Sequence, residues 1–214
     1  MMFKLKLGIL LIYSVLILSC GKTYETSESF DKGFIDYTRI WKKPSQIPVC
    51  FANFKKVAAF QKVKREIRKV VTDQFSRTKN VRFSGWDSCE GQNETIRIAL
   101  DANYGGGLSF VGNPKKFCLR NYREATMLIG VKGPIRDIKF LALHEFGHAI
   151  GLLHEHQRVD SACDPAVWDQ IYVPETLVKV YRGEYDSRSV MDYCSGRNPR
   201  LSRGDIEAID FLFP

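Results

Sequence analysis

Three histidines and one glutamate are spaced so that they can hold a metal ion and activate water. His144 and His148 are four residues apart, so on a helix their imidazoles leave the same face. Gly151 permits a sharp backbone turn, which brings His154 round as a third nitrogen ligand. Three neutral imidazoles leave a fourth tetrahedral position open for water, as in catalytic zinc sites. Glu145, beside the first ligand, can then act as the general base.

The extended spacing is far more specific than a bare HExxH pair. With the glycine and third histidine included, it is expected by chance in on the order of one in 10^5 chains of this length. All four histidines of the chain lie between His144 and His156. We expect His156 at the surface or beside the ligands rather than on the metal. The cluster therefore predicts one catalytic zinc ion as the cofactor.

A methionine follows the histidine cluster within the sequence Ser-Val-Met-Asp-Tyr. Met191 lies 37 residues after His154. The pattern HExxHxxGxxH followed by such a turn resembles the signature of the metzincin zinc peptidases. The resemblance implies that Met191 packs beneath the zinc ligands as a hydrophobic floor.

Within the metzincins, the flanking residues resemble those of the astacins. The run HEHQR, which begins at the third histidine, is similar to the family's HEHxR. The run that begins at Tyr185 is similar to its YDxxSxMxY. The resemblance implies that Tyr193 approaches the zinc and stabilises the oxyanion of the tetrahedral intermediate. Two positions depart from the family: Asp192 replaces a common histidine, and Val159 replaces a common proline.

The same resemblance implies an α+β metzincin fold over residues 41–214. A twisted mixed sheet and long helices would form an N-terminal subdomain, and a smaller, mostly irregular C-terminal subdomain would end in a helix. The implied activity is that of a zinc-dependent endopeptidase acting on extended polypeptide, with zinc-bound water activated by Glu145. Two alternatives stay open: a matrixin-like metzincin without a role for Tyr193, and a surface lipoprotein that binds host or envelope proteins. The retained Glu145 favours an enzyme, since a structural zinc site needs only ligands.

The sequence also predicts the elements that position these residues. A helix is expected over 135–150, between Pro134 and Gly151, because glycine can adopt the left-handed conformation that ends helices. Apolar residues at helical spacing predict a long amphipathic helix over 54–75. A start typical of a capping box at Ser202 predicts a last helix. Short strands are expected at residues 47–51, 81–83 and 95–100.

Three consecutive glycines precede a further candidate strand, which consists of Leu108, Ser109, Phe110 and Val111. From the residues alone, this segment is equally a core strand after a turn or an exposed edge. An exposed edge could hold an extended peptide by β-augmentation. The resemblance to peptidases favours the edge, so these four residues are candidates for binding the substrate backbone.

The first forty residues are expected to direct the protein out of the cytoplasm. Lysines precede a short apolar run, so residues 1–19 are interpreted as a signal peptide. The run Ile-Leu-Ser-Cys that ends at Cys20 resembles a bacterial lipobox, which implies lipidation of this cysteine. Residues 20–40 would then be the lipidated cysteine and a polar tether. The protein would be a membrane-anchored lipoprotein facing the periplasm or cell exterior; an ordinary signal peptide with a chance cysteine is the alternative.

Five cysteines follow the predicted anchor, and an exported protein can join them in disulfide bonds. Connectivity cannot be deduced from sequence, and the pairing that we expect is Cys89 with Cys118 and Cys163 with Cys194. This leaves Cys50 as the odd cysteine. It lies in a predicted strand without a surrounding switch motif, so an inhibitory thiol is not expected there.

Composition limits the remaining classes of function. The 214 residues are 44% hydrophobic and 26% charged, which excludes a disordered chain and a many-span membrane protein. Internal repeats and heptads are absent, which excludes solenoids and coiled coils. The formal net charge is +8, and the basic side of the helix predicted over 54–75 is expected to be solvated, with attraction to anionic lipid as the alternative. No nucleic-acid recognition motif accompanies this charge, so we expect no binding to nucleic acid. We expect a monomer that binds peptide or protein substrates.

Overall fold

The secondary structure comes from a computed structural model that describes residues 40–52, 60–89, 95–114, 125–158, 160–163, 184–194 and 196–214. Its strands are β1 (Ile47–Phe51), β2 (Phe83–Ser88), β3 (Ile96–Asp101), β4 (Gly107–Ser109) and β5 (Met127–Gly130). Its α-helices are α1 (Gln61–Phe75), α2 (Ile135–Ile150) and α3 (Arg203–Leu212). Short 3-10 helices lie at Pro44–Gln46 and Glu155–Gln157.

The strands form one mixed sheet in the order β2-β1-β3-β5-β4. Pairing is parallel from β2 to β5, and β4 runs antiparallel to β5 at the edge. β1, β3 and β5 are mostly buried, as expected for parallel strands covered on both faces. Both β4 and β5 contact α2. The sheet edge therefore lies beside the helix that carries the histidines, and the architecture is the α+β arrangement that the sequence predicts.

Aromatic side chains join the sheet to the two longer helices. The ring of Phe83 in β2 meets Phe75 of α1 and Phe146 of α2 edge-on, at centroid distances of 5.0 and 4.8 Å. Trp86 stacks on Phe146 at 5.5 Å. Truncating a buried aromatic residue to alanine costs about 3–5 kcal/mol. This cluster therefore holds α2 firmly against the sheet on the side away from its functional residues.

The predicted bounds of α2 are confirmed. The helix starts after Pro134 and stops at Gly151, whose φ of 112° is left-handed. The N–H of Gly151 donates to the carbonyl of His148 at 2.8 Å. Because most side chains require negative φ, glycine allows the chain to leave the helix here and turn back.

Several predicted bounds were wrong for identifiable reasons. β2 spans Phe83–Ser88 instead of the predicted 81–83. Within it, Gly85 and Trp86 have positive φ angles, and the register of its pairing with β1 shifts at this point. Such an irregularity disrupts the alternation on which strand prediction relies. β5 was not predicted at all, since its four residues are buried on both faces and show no alternation. The helix predicted over 54–75 is described from Gln61 as α1, and its first residues lie outside the described part of the chain.

The predicted edge strand is shorter than expected. β4 comprises Gly107–Ser109, and Phe110 and Val111 follow it outside the regular strand. Beyond them, the N–H of Gly112 donates to the carbonyl of His148, which draws the chain against α2 and ends the open edge.

The predicted pairing of Cys89 with Cys118 is wrong. Cys89 is joined to Cys50, and Cys118 lies outside the described residues. Parallel pairing of β1 with β2 sets Cys50 opposite Asp87, so Cys89 follows within reach just after β2 ends. Sequence analysis missed this because β2 was not recognised past residue 83. Cys163 is joined to Cys194. Disulfides of this kind are typical of exported proteins.

The described residues after α2 are mostly irregular. They contain the 3-10 helix Glu155–Gln157 and the terminal helix α3. The predicted capping box of α3 is confirmed, since the Ser202 hydroxyl accepts from the N–H of Asp205 and the Asp205 carboxylate accepts from the N–H of Ser202. Among the described residues, none of the helices is long and apolar enough to cross a membrane.

Candidate metal centre and active site

The three histidines predicted as ligands meet at one point. His144 and His148 project from α2, and His154 returns from the segment after Gly151. The Nε2 atom of His154 lies 3.2 Å from that of His144 and 3.0 Å from that of His148. The three nitrogens are therefore close enough to hold one metal ion.

Backbone carbonyls orient two of these rings. The Nδ1–H of His144 donates to the carbonyl of Val190, and that of His148 donates to the carbonyl of Leu152, both at 2.9 Å. A neutral imidazole has a single N–H, so donation through Nδ1 leaves Nε2 as an acceptor. The Nε2 lone pairs of His144 and His148 can therefore be donated to a metal ion. Carbonyl support of this kind is typical of metal-bound histidines.

Burial keeps the imidazoles neutral. It lowers the pKa of His144 and of His154 well below the usual value for histidine. It lowers the pKa of His148 to about 4. A metal ligand must be deprotonated, so these rings are ready to bind at neutral pH.

Glu145 follows the first ligand in sequence, and its carboxylate lies against the edge strand. The side chain is 2% exposed, and its Oε2 atom has no hydrogen-bond partner among the described residues. Its Oε1 atom is so close to Gly107 that a Cβ at that position would collide with it. Burial raises the pKa of Glu145 well above its usual range. A buried carboxyl oxygen without a partner is costly to stability, which is typical of groups retained for chemistry.

Tyr193 extends the cluster with a hydroxyl group. This hydroxyl lies 2.9 Å from the Nε2 atom of His144, and the tyrosine ring stacks on His144 and His156 at centroid distances of 4.9 and 4.8 Å. Tyr193 is 37% exposed. His156 is buried and also stacks on His154 at 4.9 Å. It therefore lies beside the ligands, one of the two positions expected from sequence.

Met191 packs against α2 at Gly147. It is buried, and a Cβ added to Gly147 would lie 2.5 Å from its Sδ atom. The missing side chain at Gly147 thus lets the methionine approach the helix between the positions of His144 and His148.

Hydrogen bonds join the segment that begins with the HEHQR run to the run that begins at Tyr185. The Glu155 carboxylate accepts from the N–H of Asp186 at 2.8 Å, and the Asp160 carboxylate accepts from the N–H of Tyr185 at 3.1 Å. The Arg158 guanidinium donates twice to Asp160, at 2.8 Å each. The segment after the third histidine and the segment before the methionine are therefore held side by side.

Asp205 is a supporting residue that sequence analysis recognised only as a helix cap. Its buried carboxylate accepts from the hydroxyl of Ser189 at 2.6 Å and from the N–H of Val190 at 2.9 Å. The carbonyl of Val190 in turn orients His144. A single carboxylate therefore connects α3 to the turn that supports the first ligand. The capping pattern at Ser202 was the signal that located this residue.

Phe110, one of the predicted edge residues, packs on a second cluster of buried residues formed by Ala99, Ala125 and Leu128. Gly107, which precedes the predicted residues, lies against Glu145. Cys20 lies outside the described residues.

The donor set fits zinc. Three imidazole nitrogens with a hydroxyl nearby are typical of a catalytic zinc site with an open position. The histidine spacing, the buried methionine packed on α2 and the mixed sheet with its antiparallel edge define a metzincin-type zinc peptidase.

Comparison with known proteins agrees with this class. The model of the astacin peptidase family matches residues 34–209. The chain therefore belongs to the astacin family and is a zinc metalloendopeptidase. A search of curated proteins finds no match.

Solved structures share the fold. A structure of myroilysin has a TM-score of 0.61 at 20% identity, covering 85% of this chain and 98% of that one. A crystal structure of myroilysin has a TM-score of 0.58 at 21% identity, covering 83% and 86%. High choriolytic enzyme 1, a hatching enzyme zinc-protease from Oryzias latipes, has a TM-score of 0.55 at 19% identity, covering 82% and 94%.

Proposed function

We propose that this enzyme hydrolyses peptide bonds in extended polypeptide segments, with Glu145 as the general base and Tyr193 as a donor to the oxyanion. The supporting observation is that three histidine nitrogens and the Tyr193 hydroxyl come together, while the buried carboxylate of Glu145, which follows the first ligand, lies against the sheet edge. Metal, base, oxyanion donor and substrate platform are the parts that amide hydrolysis requires.

Glu145 carries the proton through the reaction. The chemistry that zinc supplies, when held by the three histidines, is that of a Lewis acid, which acidifies the attacking water and polarises the scissile carbonyl. The Glu145 carboxylate accepts the proton as the water oxygen attacks the carbonyl carbon, and then donates it to the leaving nitrogen. Because Glu145 is buried, bulk water does not compete for this proton.

Tyr193 stabilises the charge that develops on the carbonyl oxygen. The proposal is supported by the 2.9 Å distance from its hydroxyl to the Nε2 atom of His144 and by the stacking of its ring on two imidazoles. A donor held in place before the reaction starts stabilises the oxyanion without the cost of reorganisation.

The edge of β4 supports binding of the substrate backbone. The N–H groups of Gly130 and Phe110 are bonded across the β4–β5 pair. Antiparallel ladders alternate, so Gly107 and Ser109, which lie between these bonds, turn their N–H and C=O groups away from β5. An extended peptide can pair with these groups next to Glu145. Such a platform selects unfolded or loop-like segments over folded substrates.

Replacing Ser109 with proline tests this platform. Proline removes the outward N–H, and edge strands tolerate it where that group faces away from the ladder. We expect KM for extended peptides to rise about tenfold, the effect of roughly one hydrogen bond, with kcat little changed. Ser109→Ala, which keeps the N–H, is the control, and an equal KM for both variants would argue against backbone pairing at this position.

Two alternatives make different demands on the same residues. A matrixin-like enzyme would not need the hydroxyl of Tyr193. A binding lipoprotein would not need Glu145, whose buried oxygen without a partner among the described residues favours catalysis. Kinetic comparison of variants at these two positions separates the three functions.

We further propose that the enzyme is exported and anchored to a membrane by lipidated Cys20, with residues 1–19 as signal peptide, 20–40 as lipidated cysteine and tether, and 41–214 as the catalytic domain. Disulfide bonds support export, and the lipobox-like run before Cys20 supports the anchor. Cys20→Ala is expected to abolish incorporation of labelled palmitate in a bacterial host. Equal labelling of the variant would contradict the anchor.

A further inference from the structure

We propose that the Cys163–Cys194 disulfide, together with Asp192, positions Tyr193 for catalysis, so that turnover depends on the oxidation state of this cysteine pair. The inference rests on the proposed role of Tyr193. Tyr193 lies between Asp192 and Cys194 in sequence, so any anchor on these two neighbours acts directly on its backbone.

On its N-terminal side, Tyr193 is anchored by backbone hydrogen bonds. The N–H of Asp192 donates to the carbonyl of Ser189 at 3.1 Å, and the N–H of Glu155 donates to the carbonyl of Met191 at 3.0 Å. These bonds do not depend on the redox state of any cysteine.

On its C-terminal side, the anchor is the disulfide. Cys194 is bonded covalently to Cys163, and its N–H donates to the Asp192 carboxylate at 3.2 Å. The next described residues, Gly196 and Arg197, are exposed, and Arg197 reaches Asp137 through a solvent-exposed ion pair that contributes little. The disulfide therefore holds this end of the turn.

Cys163, the other cysteine of the disulfide, lies in a segment held by hydrogen bonds. The backbone N–H of Cys163 donates to the hydroxyl of Ser161 at 3.1 Å. The backbone N–H of Ser161 donates to the carbonyl of Arg158, also at 3.1 Å. Arg158 donates twice to Asp160. This segment continues directly from His154. The disulfide thus ties Tyr193 to the same part of the chain that carries the third ligand.

Asp192 lies against both cysteines of the Cys163–Cys194 disulfide. It is 1% exposed and accepts from the hydroxyl of Tyr185 at 3.1 Å. Its Oδ1 atom also contacts the Sγ atom of Cys163 at 3.6 Å. The disulfide and the Asp192 carboxylate pack against each other. Breaking the S–S bond would therefore remove a packing partner of Asp192.

Reduction of the Cys163–Cys194 disulfide would remove the covalent bond between these two segments. A phosphine supplies two electrons and breaks the S–S bond, each sulfur takes up a proton from water, and the phosphine takes the remaining oxygen to become its oxide. Tyr193 would then keep its stacking partners but lose its C-terminal anchor. Loss of preorganisation weakens transition-state stabilisation without affecting substrate pairing on β4, so kcat should fall while KM stays constant.

The test replaces both cysteines by serine in the full chain, which leaves no new unpaired thiol. For Cys163→Ser/Cys194→Ser we expect one zinc per chain, an unchanged KM and a kcat lowered about tenfold, a fraction of the loss for removing an oxyanion donor outright. Cys50→Ser/Cys89→Ser is the matched control, because that disulfide joins β1 to the end of β2, and its kcat should be that of the parent. Equal kcat in the two double variants would overturn the proposal.

A double-mutant cycle separates positioning from general structural support. In a Tyr193→Phe background, removing the Cys163–Cys194 disulfide should lower kcat no further, because the group that it positions is gone. A second tenfold loss in that background would overturn the proposal. If the serine variant does not fold, phosphine reduction of the Cys50→Ser/Cys89→Ser chain, followed by reoxidation, should lower and then restore kcat; unchanged turnover after complete reduction would contradict the proposal.

Amide hydrogen exchange in the metal-free protein supplies a readout independent of activity. Loss of the Cys163–Cys194 disulfide should speed exchange over 192–194, and removing Cys50–Cys89 should not. If the parent chain with zinc cleaves no peptide, the proposed function fails, and this exchange measurement alone decides the positioning. Equal exchange over 192–194 in both variants would overturn it.

Discussion

Replacing Glu145 with alanine is expected to lower kcat by about 10^4-fold, the upper range for losing a positioned general base. The variant should keep its fold and one zinc per chain, because the three histidines and their carbonyl partners are untouched. Steady-state kinetics on an extended peptide, together with zinc analysis, measures both. Glu145→Gln, which preserves the shape of the side chain, should show a comparable loss.

An exposed glutamate provides the control for this result. Glu207 on α3 pairs with Arg203 at the surface, so Glu207→Ala should retain the parent kcat. If Glu145→Ala kept even a tenth of the parent rate with zinc bound, another group would have to act as the base.

Replacing Tyr193 with phenylalanine is expected to lower kcat by about 10^2-fold, as for removal of one oxyanion donor. The ring can still stack on His144 and His156, so zinc content and KM should stay close to those of the parent. The affinity for a phosphinic peptide, which mimics the tetrahedral intermediate, should fall in parallel with kcat.

An unchanged rate for Tyr193→Phe would contradict the role of this hydroxyl. It would favour a matrixin-like mechanism in which the zinc and Glu145 suffice. A large rise in KM with normal kcat would instead assign the hydroxyl to ground-state binding of substrate.

The helix that carries the site could be predicted to the residue because its ends are marked by local chemistry. Pro134 cannot continue a preceding helix, and Gly151 alone tolerates the left-handed turn that sends His154 back toward α2. The ligand spacing follows from the same helix geometry. Local rules therefore sufficed for the most important part of the molecule.

The rest depended on pairing between distant strands, which single-sequence patterns do not contain. β5 is buried on both faces and has no alternation, and the irregularity at Gly85 and Trp86 hides most of β2. The disulfide partner of Cys89 was missed for the same reason, because Cys50 approaches it only through the β1–β2 pairing. The bonds of Asp205 to the methionine turn also join segments far apart in sequence.

Cleavage of a peptide library by the purified chain shows whether it is a zinc-dependent endopeptidase with Glu145 as its base. The library is incubated with the zinc-loaded chain, with the same chain after chelation, and with Glu145→Ala. We expect cleavage of extended peptides by the zinc-loaded chain, none after chelation, recovery when zinc is restored, and loss in the variant. A folded chain that holds one zinc ion and cleaves nothing, or cleavage that survives in Glu145→Ala, would contradict the proposed mechanism.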